Sequence, residues 1–222
     1  MSGAAVRAVL FDLDGTLIDS APDLAGAAND MRVERDLPAL QFSDLRPMVG
    51  SGARGMVGRA FDISPQDEGF VALRDEFLSR YEARMTRMTC VFDGVLPVLA
   101  ALDASQVPWG IVTNKATRYS EPIVHALGLA QRARVLVCGD TTPHAKPHPA
   151  PLLEAARRLG IPPEACAYVG DDERDVQAGR AAGMTTLAAS WGYLGVGAAI
   201  AAWGATHVIH SPGDLLNRLG MA

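Results

Sequence analysis

The stretch VRAVLFDLDGT at residues 6–16 joins an apolar run to two aspartates, a glycine and a threonine. A short, almost uninterrupted apolar run predicts a strand that is buried on both faces. Side chains alternate along a strand, so Asp12 and Asp14 begin on the same side of its carboxyl end. Two neighbouring carboxylates repel each other unless a cation or a shared proton relieves them, which favours a hard metal such as Mg²⁺. Gly15 and Thr16 then offer backbone N–H groups that suit an anion.

Five similar runs predict further strands, and helical patterns lie between most of them. The strands are expected at residues 107–112, 134–138, 167–169, 185–189 and 207–209. The helices are expected at residues 97–104, 117–127, 149–159, 172–182 and 213–219. Alternation of strands with helices is typical of α/β proteins, so we predict a core built on a Rossmann-like parallel sheet.

Residues 18–89 contain no convincing strand, although they lie between the first two predicted strands. A simple crossover needs only about a dozen residues, so this segment predicts a separate helical insert. Within it, the spacing of Ser20 and Asp23 is typical of a helix start. We therefore assign residues 1–17 and 90–222 to an α/β core and residues 18–89 to an all-helical cap.

A second acidic group, Asp171, Asp172 and Asp175, follows another apolar run in the same way. Taken alone, this group also fits the acidic start of a helix. The carboxyl ends of parallel strands gather at one edge of a sheet, where ligands bind. We therefore expect Asp12, Asp14 and Asp171 to converge on one ion.

Lys115 and Lys146 are the only lysines among the 20 basic residues, and both follow predicted strands. Lys115 comes directly after Thr113 and Asn114. A fixed ammonium and a hydroxyl, together with a metal, suit a phosphoryl group whose negative charge shifts during transfer. We predict Lys146 at the site and interpret Lys115 as a solvent-exposed surface residue.

The composition is that of an ordinary folded protein, with 49% hydrophobic and 20% charged residues. A formal net charge of −5 argues against a nucleic-acid partner, which requires a basic surface. The three cysteines are far apart and indicate neither a disulfide framework nor a thiolate zinc site, so a cytoplasmic location is expected. Residues 181–213 lack charged side chains, but glycines and hydroxyl residues divide them into short pieces, which argues against a membrane helix.

Residues 50–55 read GSGARG and satisfy the G-x-G-x-x-G fingerprint of dinucleotide-binding proteins. We reject that interpretation because the fingerprint needs a preceding strand and a return strand, whereas the surrounding pattern is helical. A cap loop that closes over the core site explains the stretch better, with Gly50 and Gly52 allowing close approach of backbone to substrate. Arg54, and Arg46 before the loop, are candidates for recognising a carboxylate or a second polar group.

Four motifs together resemble the haloacid dehalogenase superfamily, in the phosphatase branch that has a helical cap. They are Asp12-Leu13-Asp14-Gly15-Thr16, Thr113-Asn114, Lys146-Pro147, and Gly170-Asp171-Asp172 with Asp175. The match covers essentially the whole chain, including the order of the elements and the insert. Within the superfamily, the chain is similar to phosphoglycolate phosphatases, whose cap also carries a stretch like Val49-Gly50-Ser51-Gly52.

The resemblance implies a role for each residue at the phosphoryl end of the site. Asp12 is implied as the nucleophile, which forms an aspartyl-phosphate while its other oxygen binds Mg²⁺. Asp14 is implied as the acid and then the base, with its backbone carbonyl on the metal. Thr113 and the backbone of Asn114 are implied to hold phosphoryl oxygens, and Lys146 to offset the charge of nucleophile and phosphate.

The same resemblance implies that Asp171 completes the metal shell and that Asp175 orients it from behind. Asp172 stands where many relatives have Ser or Thr, so its contact with the ion is left open. The implied partner is a small phosphorylated metabolite, with neither nucleic acid nor membrane, for a chain that acts as a monomer or homodimer.

Several activities remain as alternatives. The cap pattern at residues 51–57 is also similar to N-acetylmuramic acid 6-phosphate phosphatases of cell-wall recycling. A sugar-phosphate mutase is possible because cap and loop details separate mutases from phosphatases. A dehalogenase is disfavoured by Asp14, and a Schiff-base phosphonate hydrolase by the absence of lysine from the insert. The non-enzymatic alternative is a sensor that binds a phosphate ligand without turnover.

Overall fold

The computed structural model describes residues 6–220, and six parallel strands form its main sheet. These are β1 (Ala8–Phe11), β4 (Trp109–Val112), β5 (Leu136–Val137), β6 (Cys166–Gly170), β7 (Thr185–Ala189) and β8 (His207–Ile209). Their spatial order is β5-β4-β1-β6-β7-β8. The α/β fold with a parallel sheet is therefore confirmed, and each strand lies within two residues of its predicted bounds.

The strand β1 lies inside the sheet and is buried on both faces. Val9 and Phe11 belong to one hydrophobic cluster, whereas Ala8 and Leu10 belong to another. Because alternate side chains of a strand point to opposite faces, the two clusters cover the two sides of the sheet. A continuous apolar run is the sequence that this position requires.

Five helices flank the strands of the core. They are α5 (Val95–Ala104), α6 (Thr117–Ala126), α7 (Ala150–Leu159), α8 (Glu173–Ala181) and α9 (Asp214–Arg218). The predicted start of α5 was two residues late, because a proline is tolerated in the first helical turn and Pro97 lies inside that turn. No helix within residues 6–220 has the length and apolar character needed to cross a bilayer.

The predicted insert is helical, with one difference at its boundary. It contains α1 (Ala21–Val33), α2 (Phe42–Leu45), α3 (Gly52–Phe61) and α4 (Phe70–Glu82). The expectation that no strand begins at residue 18 was wrong: β2 (Ile18–Asp19) pairs antiparallel with β3 (Cys90–Val91). Two-residue strands are too short to produce a detectable hydrophobic period. The division into core and cap remains a prediction, with its two boundaries at this strand pair.

The predicted capping role of Ser20 is not observed. Ser20 does precede α1, but its side chain makes no capping hydrogen bond. The Ser20 hydroxyl instead donates to the carboxylate of Asp14. The Asp23 side chain also bonds outside the helix start. Its Oδ2 accepts the backbone N–H groups of Met88 and Thr89, at 2.9 and 2.8 Å. The start of α1 therefore connects to the site on one side and to the end of the insert on the other.

Asp23→Ala is expected to lower the free energy of unfolding by about 3 kcal/mol, because it leaves buried donors without an acceptor. Asp23 is fully buried, and its Oδ2 also accepts the Thr89 hydroxyl at 2.8 Å. Urea denaturation measures the change. Asp30→Ala is the matched control, since Asp30 is a largely exposed aspartate of the same helix and should cost less than about 1 kcal/mol. Equal losses in the two variants would contradict the prediction.

Candidate active site

The carboxyl ends of three adjacent strands carry the predicted site residues. Asp12 follows β1, Thr113 follows β4 and Asp171 follows β6, and these strands are neighbours in the sheet. Between the sheet edge and the helical insert lies a cavity of about 410 Å³. The predicted site residues that line it are Asp12, Asp14, Gly50, Gly52, Thr113, Asn114, Lys146, Asp171, Asp172 and Asp175. Residues far apart in sequence are thus brought together.

Lys146 occupies the centre of the buried part of the site. Its ammonium lies 2.8 Å from Asp12 Oδ1 and 2.7 Å from Asp175 Oδ1. It also contacts the Tyr168 hydroxyl at 2.8 Å and the Val112 carbonyl at 3.1 Å. The two carboxylates outweigh the effect of burial and raise the pKa of Lys146, so it remains a cation. Lys146 therefore places a fixed positive charge beside Asp12.

Three buried carboxylates form a compact oxygen group next to Lys146. Carboxylate oxygens of Asp12, Asp171 and Asp175 all lie within 4.8 Å of one another. The side chain of Asp14 is not part of this group, although we expected Asp14 to converge with Asp12 and Asp171. Its carboxylate is instead bound by Ser20 and by Lys115.

The three-carboxylate group has the chemistry of a site for a divalent cation. Burial raises the pKa of Asp12 to about 7, although Lys146 opposes the shift. Burial and the negative charge of Asp12 raise the pKa of Asp171 well above its usual range. A cation among these oxygens would favour their ionised forms. Hard oxygen ligands are those that Mg²⁺ prefers, so the residues present fit this ion.

Asp171 is held by hydrogen bonds and by close packing. Its Oδ1 accepts the hydroxyl of Thr16 at 3.0 Å, and its Oδ2 accepts the backbone N–H of Tyr193 at 2.7 Å. Side chains are excluded around it: a Cβ on Gly15 would lie 2.1 Å from Asp171 Oδ2, and one on Gly192 only 2.2 Å from Asp171 Cβ. Gly15 also has a φ of 87°, which other residues rarely adopt.

Gly15 and Thr16 use their backbone N–H groups within the turn that follows β1. The N–H of Gly15 donates to the Ile18 carbonyl at 2.9 Å, and that of Thr16 to the Leu13 carbonyl at 3.4 Å. The sequence predicted these N–H groups as anion donors, whereas here they close the turn. Thr16 contributes to the site through its hydroxyl instead.

Asp172 and Asp175 also form a reciprocal cap at the start of α8. The Asp172 side chain accepts the backbone N–H of Arg174 at 2.9 Å, and Asp175 Oδ2 accepts the N–H of Asp172 at 3.1 Å. Asp172 further binds the Arg174 guanidinium through both of its oxygens. The helix-start interpretation and the site interpretation of this acidic group are therefore compatible, because Asp175 serves both.

Lys115 is largely enclosed, so its interpretation as a solvent-exposed surface residue was wrong. Its side chain is 10% exposed, and its ammonium lies 3.1 Å from Asp14 Oδ1. It donates to the hydroxyl of Tyr81 at 2.8 Å, and Tyr81 belongs to α4 of the insert. These partners raise the pKa of Lys115 despite its burial. A partner from the insert cannot be read from the local sequence around Lys115.

Thr113 and Asn114 connect the loop after β4 to the segment that carries Lys146. The Asn114 amide accepts the backbone N–H of Lys146 and donates to its carbonyl, both at 2.9 Å. The Thr113 side chain is buried, and its hydroxyl accepts the N–H of Lys115 at 3.1 Å. Both lysines of the chain are therefore positioned by this loop.

The predicted residues of the insert divide into two groups. Gly50 and Gly52 line the cavity, but the predicted loop is wrong, because Gly50 belongs to a 3-10 helix (Arg46–Ser51) and Gly52 begins α3. Arg54 is exposed and is not part of the lining, and the guanidinium of Arg46 lies 5.0 Å from the ring centre of Tyr193. The two arginines that the sequence offered for recognising a carboxylate thus lie away from the cavity wall.

Two tyrosines of the site were missed at the sequence level. Tyr168 is buried in β6 and contacts Lys146, but a tyrosine in an apolar strand has the pattern of a core residue. Tyr193 accepts the N–H of Ser20 at 2.8 Å and lies 2.9 Å from Asp19 Oδ1 through its hydroxyl. Its own N–H reaches Asp171, so Tyr193 joins the start of the insert to the acidic group. No signal in the uncharged segment around it indicated this role.

The arrangement of these residues agrees with the family comparison. The haloacid dehalogenase-like hydrolase family matches residues 9–189, which include all four motifs. The chain is a haloacid dehalogenase-like hydrolase. Its parallel sheet, with an acidic group at the carboxyl ends of β1 and β6, has the architecture that the sequence resemblance implied.

Relatives and solved structures agree with this assignment. An N-acetylmuramic acid 6-phosphate phosphatase of Pseudomonas putida is 42% identical over 95% of this chain and 94% of its own length. A phosphoglycolate phosphatase of Xanthomonas campestris is 50% identical over 84% of each chain. A crystal structure described as a predicted phosphoglycolate phosphatase of Haemophilus somnus superposes with a TM-score of 0.86 at 27% identity, covering 97% of this chain and 98% of its own. This hydrolase is therefore a phosphatase of the family.

Proposed function

We propose that this phosphatase is Mg²⁺-dependent and hydrolyses a small phosphomonoester through an aspartyl-phosphate on Asp12. The observation that carries the proposal is the buried group in which Lys146 binds both Asp12 and Asp175, with Asp171 beside them. Phosphoryl transfer needs positioning and charge stabilisation more than covalent chemistry. A carboxylate next to a fixed cation and an acidic metal site supplies both.

We assign a residue to each step of this proposed reaction. An oxygen of Asp12 attacks phosphorus, and the ester oxygen leaves with a proton from Asp14. Asp14 then removes a proton from a water molecule, which attacks the phosphorus of the aspartyl-phosphate, so that phosphate departs and Asp12 is regenerated. The Thr113 hydroxyl and the Asn114 backbone hold phosphoryl oxygens, and Lys146 balances the negative charge.

The residues that would hold Mg²⁺ are Asp12, Asp171 and the backbone carbonyl of Asp14. Asp175 supports them through Lys146 and the cap of α8. When bound, the ion supplies positive charge against the phosphoryl oxygens. Asp172 is proposed to act through Arg174 and the helix start, since both of its oxygens bind that guanidinium.

We propose 2-phosphoglycolate as the first candidate substrate, because a relative 50% identical to the chain is a phosphoglycolate phosphatase. N-acetylmuramic acid 6-phosphate is the second candidate. It is supported by relatives that match 95% or more of the chain and by a cavity of about 410 Å³, within the range that holds larger ligands.

Purified protein is expected to release phosphate from at least one of these two esters with Mg²⁺ present, and EDTA should lower the rate by at least about 100-fold. Adding Mg²⁺ back should restore the rate. Because the ion relieves repulsion among buried carboxylates, saturating Mg²⁺ should also raise Tm by about 2–4 °C. Colorimetric phosphate assays and thermal melts measure the two effects.

Two other outcomes would replace the proposal. An isomerised sugar phosphate without free phosphate would indicate a mutase. Binding of Mg²⁺ and phosphoesters without release of phosphate from a broad panel would indicate a sensor. We further propose that the protein acts in a reducing cytoplasm, which its three free cysteines support. We also propose that it acts as a monomer or homodimer and that its partner is a small phosphorylated metabolite.

A further inference from the structure

Three cationic side chains line the cavity, and two of them are committed to partners within the protein. Lys146 has four oxygen partners for its three N–H donors. Arg174 is held by Asp172 Oδ1 at 2.7 Å and Oδ2 at 2.8 Å, and it also donates to the Gly50 carbonyl. Lys146 therefore has no donor left for the organic part of a substrate, whereas Arg174 uses Nε and Nη2 in these contacts and keeps the N–H groups of Nη1.

Lys115 differs from Lys146 in keeping a donor, and from Arg174 in being bound to Asp14. Within residues 6–220 its ammonium has two oxygen partners, Asp14 at 3.1 Å and the Tyr81 hydroxyl at 2.8 Å. An ammonium carries three donors, so one N–H remains for a ligand. Lys115 lines the cavity and is 10% exposed, so this donor lies in the cavity wall and not on the outer surface.

The insert contributes an aromatic and apolar part of the cavity wall, and Lys115 contacts it through Tyr81. The ring centre of Tyr81 lies 4.6 Å from the ammonium, and Phe77 stacks on Tyr81 with 6.5 Å between ring centres. Leu24, Phe77 and Leu78 also line the cavity. An anion that binds the free N–H of Lys115 makes a charge-assisted hydrogen bond largely out of water, which strengthens the interaction against the opposing charge of Asp14 at 3.1 Å. Lys115, with Tyr81 beside it, is therefore suited to binding a carboxylate more than a neutral group.

The position of Lys115 determines which part of a substrate it meets. The proposed phosphoryl end lies at Asp12 and Lys146, and the proposed role of Asp14 is to protonate the leaving oxygen. A cation bound to Asp14 therefore lies on the organic side of the ester. Arg54 is exposed and lies outside this wall, so it does not duplicate the charge.

We propose that Lys115, positioned by Tyr81, recognises a carboxylate on the organic part of the substrate. The substrate class is then a phosphomonoester whose leaving group is a hydroxy acid, which both candidate substrates satisfy. This inference rests on the proposed function and deepens it. Its consequence is that the same ester without the carboxylate should be a poor substrate.

The test uses two matched pairs of esters, 2-phosphoglycolate with ethyl phosphate, and N-acetylmuramic acid 6-phosphate with N-acetylglucosamine 6-phosphate. The second member of each pair lacks the carboxylate, and in the sugar pair it also lacks the lactyl group that carries it. The wild type should favour the acid of at least one pair by about 100-fold in kcat/KM. Lys115→Met should bring that ratio to within about threefold of one, mainly through KM of the acid. Tyr81→Phe keeps the ring and should reduce the ratio by about 3-fold to 10-fold.

Arg118→Met is the matched control, because Arg118 is a nearby cation that also joins the core to the insert, through Glu82. Its side chain is 64% exposed, so the ratio should not change. If Lys115→Met lowers kcat/KM equally for both members of a pair, the inference is overturned. It is also overturned if Arg174→Met removes the preference for the acid and Lys115→Met does not. A wild type that hydrolyses these esters without preferring the acids would overturn it while leaving the proposed function intact. Release of phosphate from none of the four would overturn both.

Discussion

Asp12→Asn is expected to abolish phosphate release, with kcat reduced by about 10⁵-fold. A neutral amide is a poor nucleophile toward phosphorus, so the aspartyl-phosphate cannot form. The fold should be retained, since Asn matches Asp in shape and Lys146 keeps Asp175 as its ionic partner at 2.7 Å. The measurements are phosphate release from the ester that the wild type hydrolyses, and the urea midpoint of both proteins. Acid-quenched wild type should carry a phosphoryl group on the peptide that contains Asp12.

The matched control for this variant is Asp75→Asn. Asp75 lies on α4, pairs with Arg74 and has a side chain that is 59% exposed. It should retain full activity, so general effects of removing one carboxylate are separated from the loss of the nucleophile. An Asp12→Asn protein that is folded and still turns over at more than about 1% of the wild-type rate would refute covalent catalysis through this residue.

The core of the fold could be predicted because each strand carries its own signal. β1, β4 and β6 lie within the sheet, and such strands need continuous apolar runs that the sequence displays. The pair β2 and β3 could not be predicted, since each has two residues and their partners are more than 70 positions apart. Pairing of this kind depends on the tertiary structure of the insert and leaves no local period.

The acidic part of the candidate site could also be predicted, because Asp12 and Asp171 follow strand runs directly. Lys115 could not, since the Tyr81 that binds it comes from another segment of the chain. Tyr193 was missed for a different reason. Its aromatic ring resembles a core residue, whereas its hydroxyl and N–H make the contacts with the site. Local sequence identifies groups that need partners, but it does not identify which partners the folded chain supplies.

Lys146→Met is expected to reduce kcat/KM by about 10³-fold or more, because the negative charge of Asp12 and of the phosphoryl group then has no fixed cation beside it. It should also lower the free energy of unfolding by about 3–5 kcal/mol, since two buried carboxylates lose their ionic partner. Urea denaturation and steady-state kinetics measure the two effects. Tyr168→Phe is the control, since it removes one contact of Lys146 but no charge, and it should keep activity within about tenfold of the wild type.

The double variant Lys146→Met with Asp175→Asn separates stability from catalysis. Removing the Asp175 charge relieves the uncompensated carboxylates, so about half of the lost stability should return. The amide oxygen at position 175 can still accept the N–H of Asp172, so the cap of α8 should persist. Activity should remain as low as in Lys146→Met, because the cation beside Asp12 is still missing. Recovery of activity together with stability would mean that Lys146 serves only to balance buried charge, and its assignment to the reaction would be wrong.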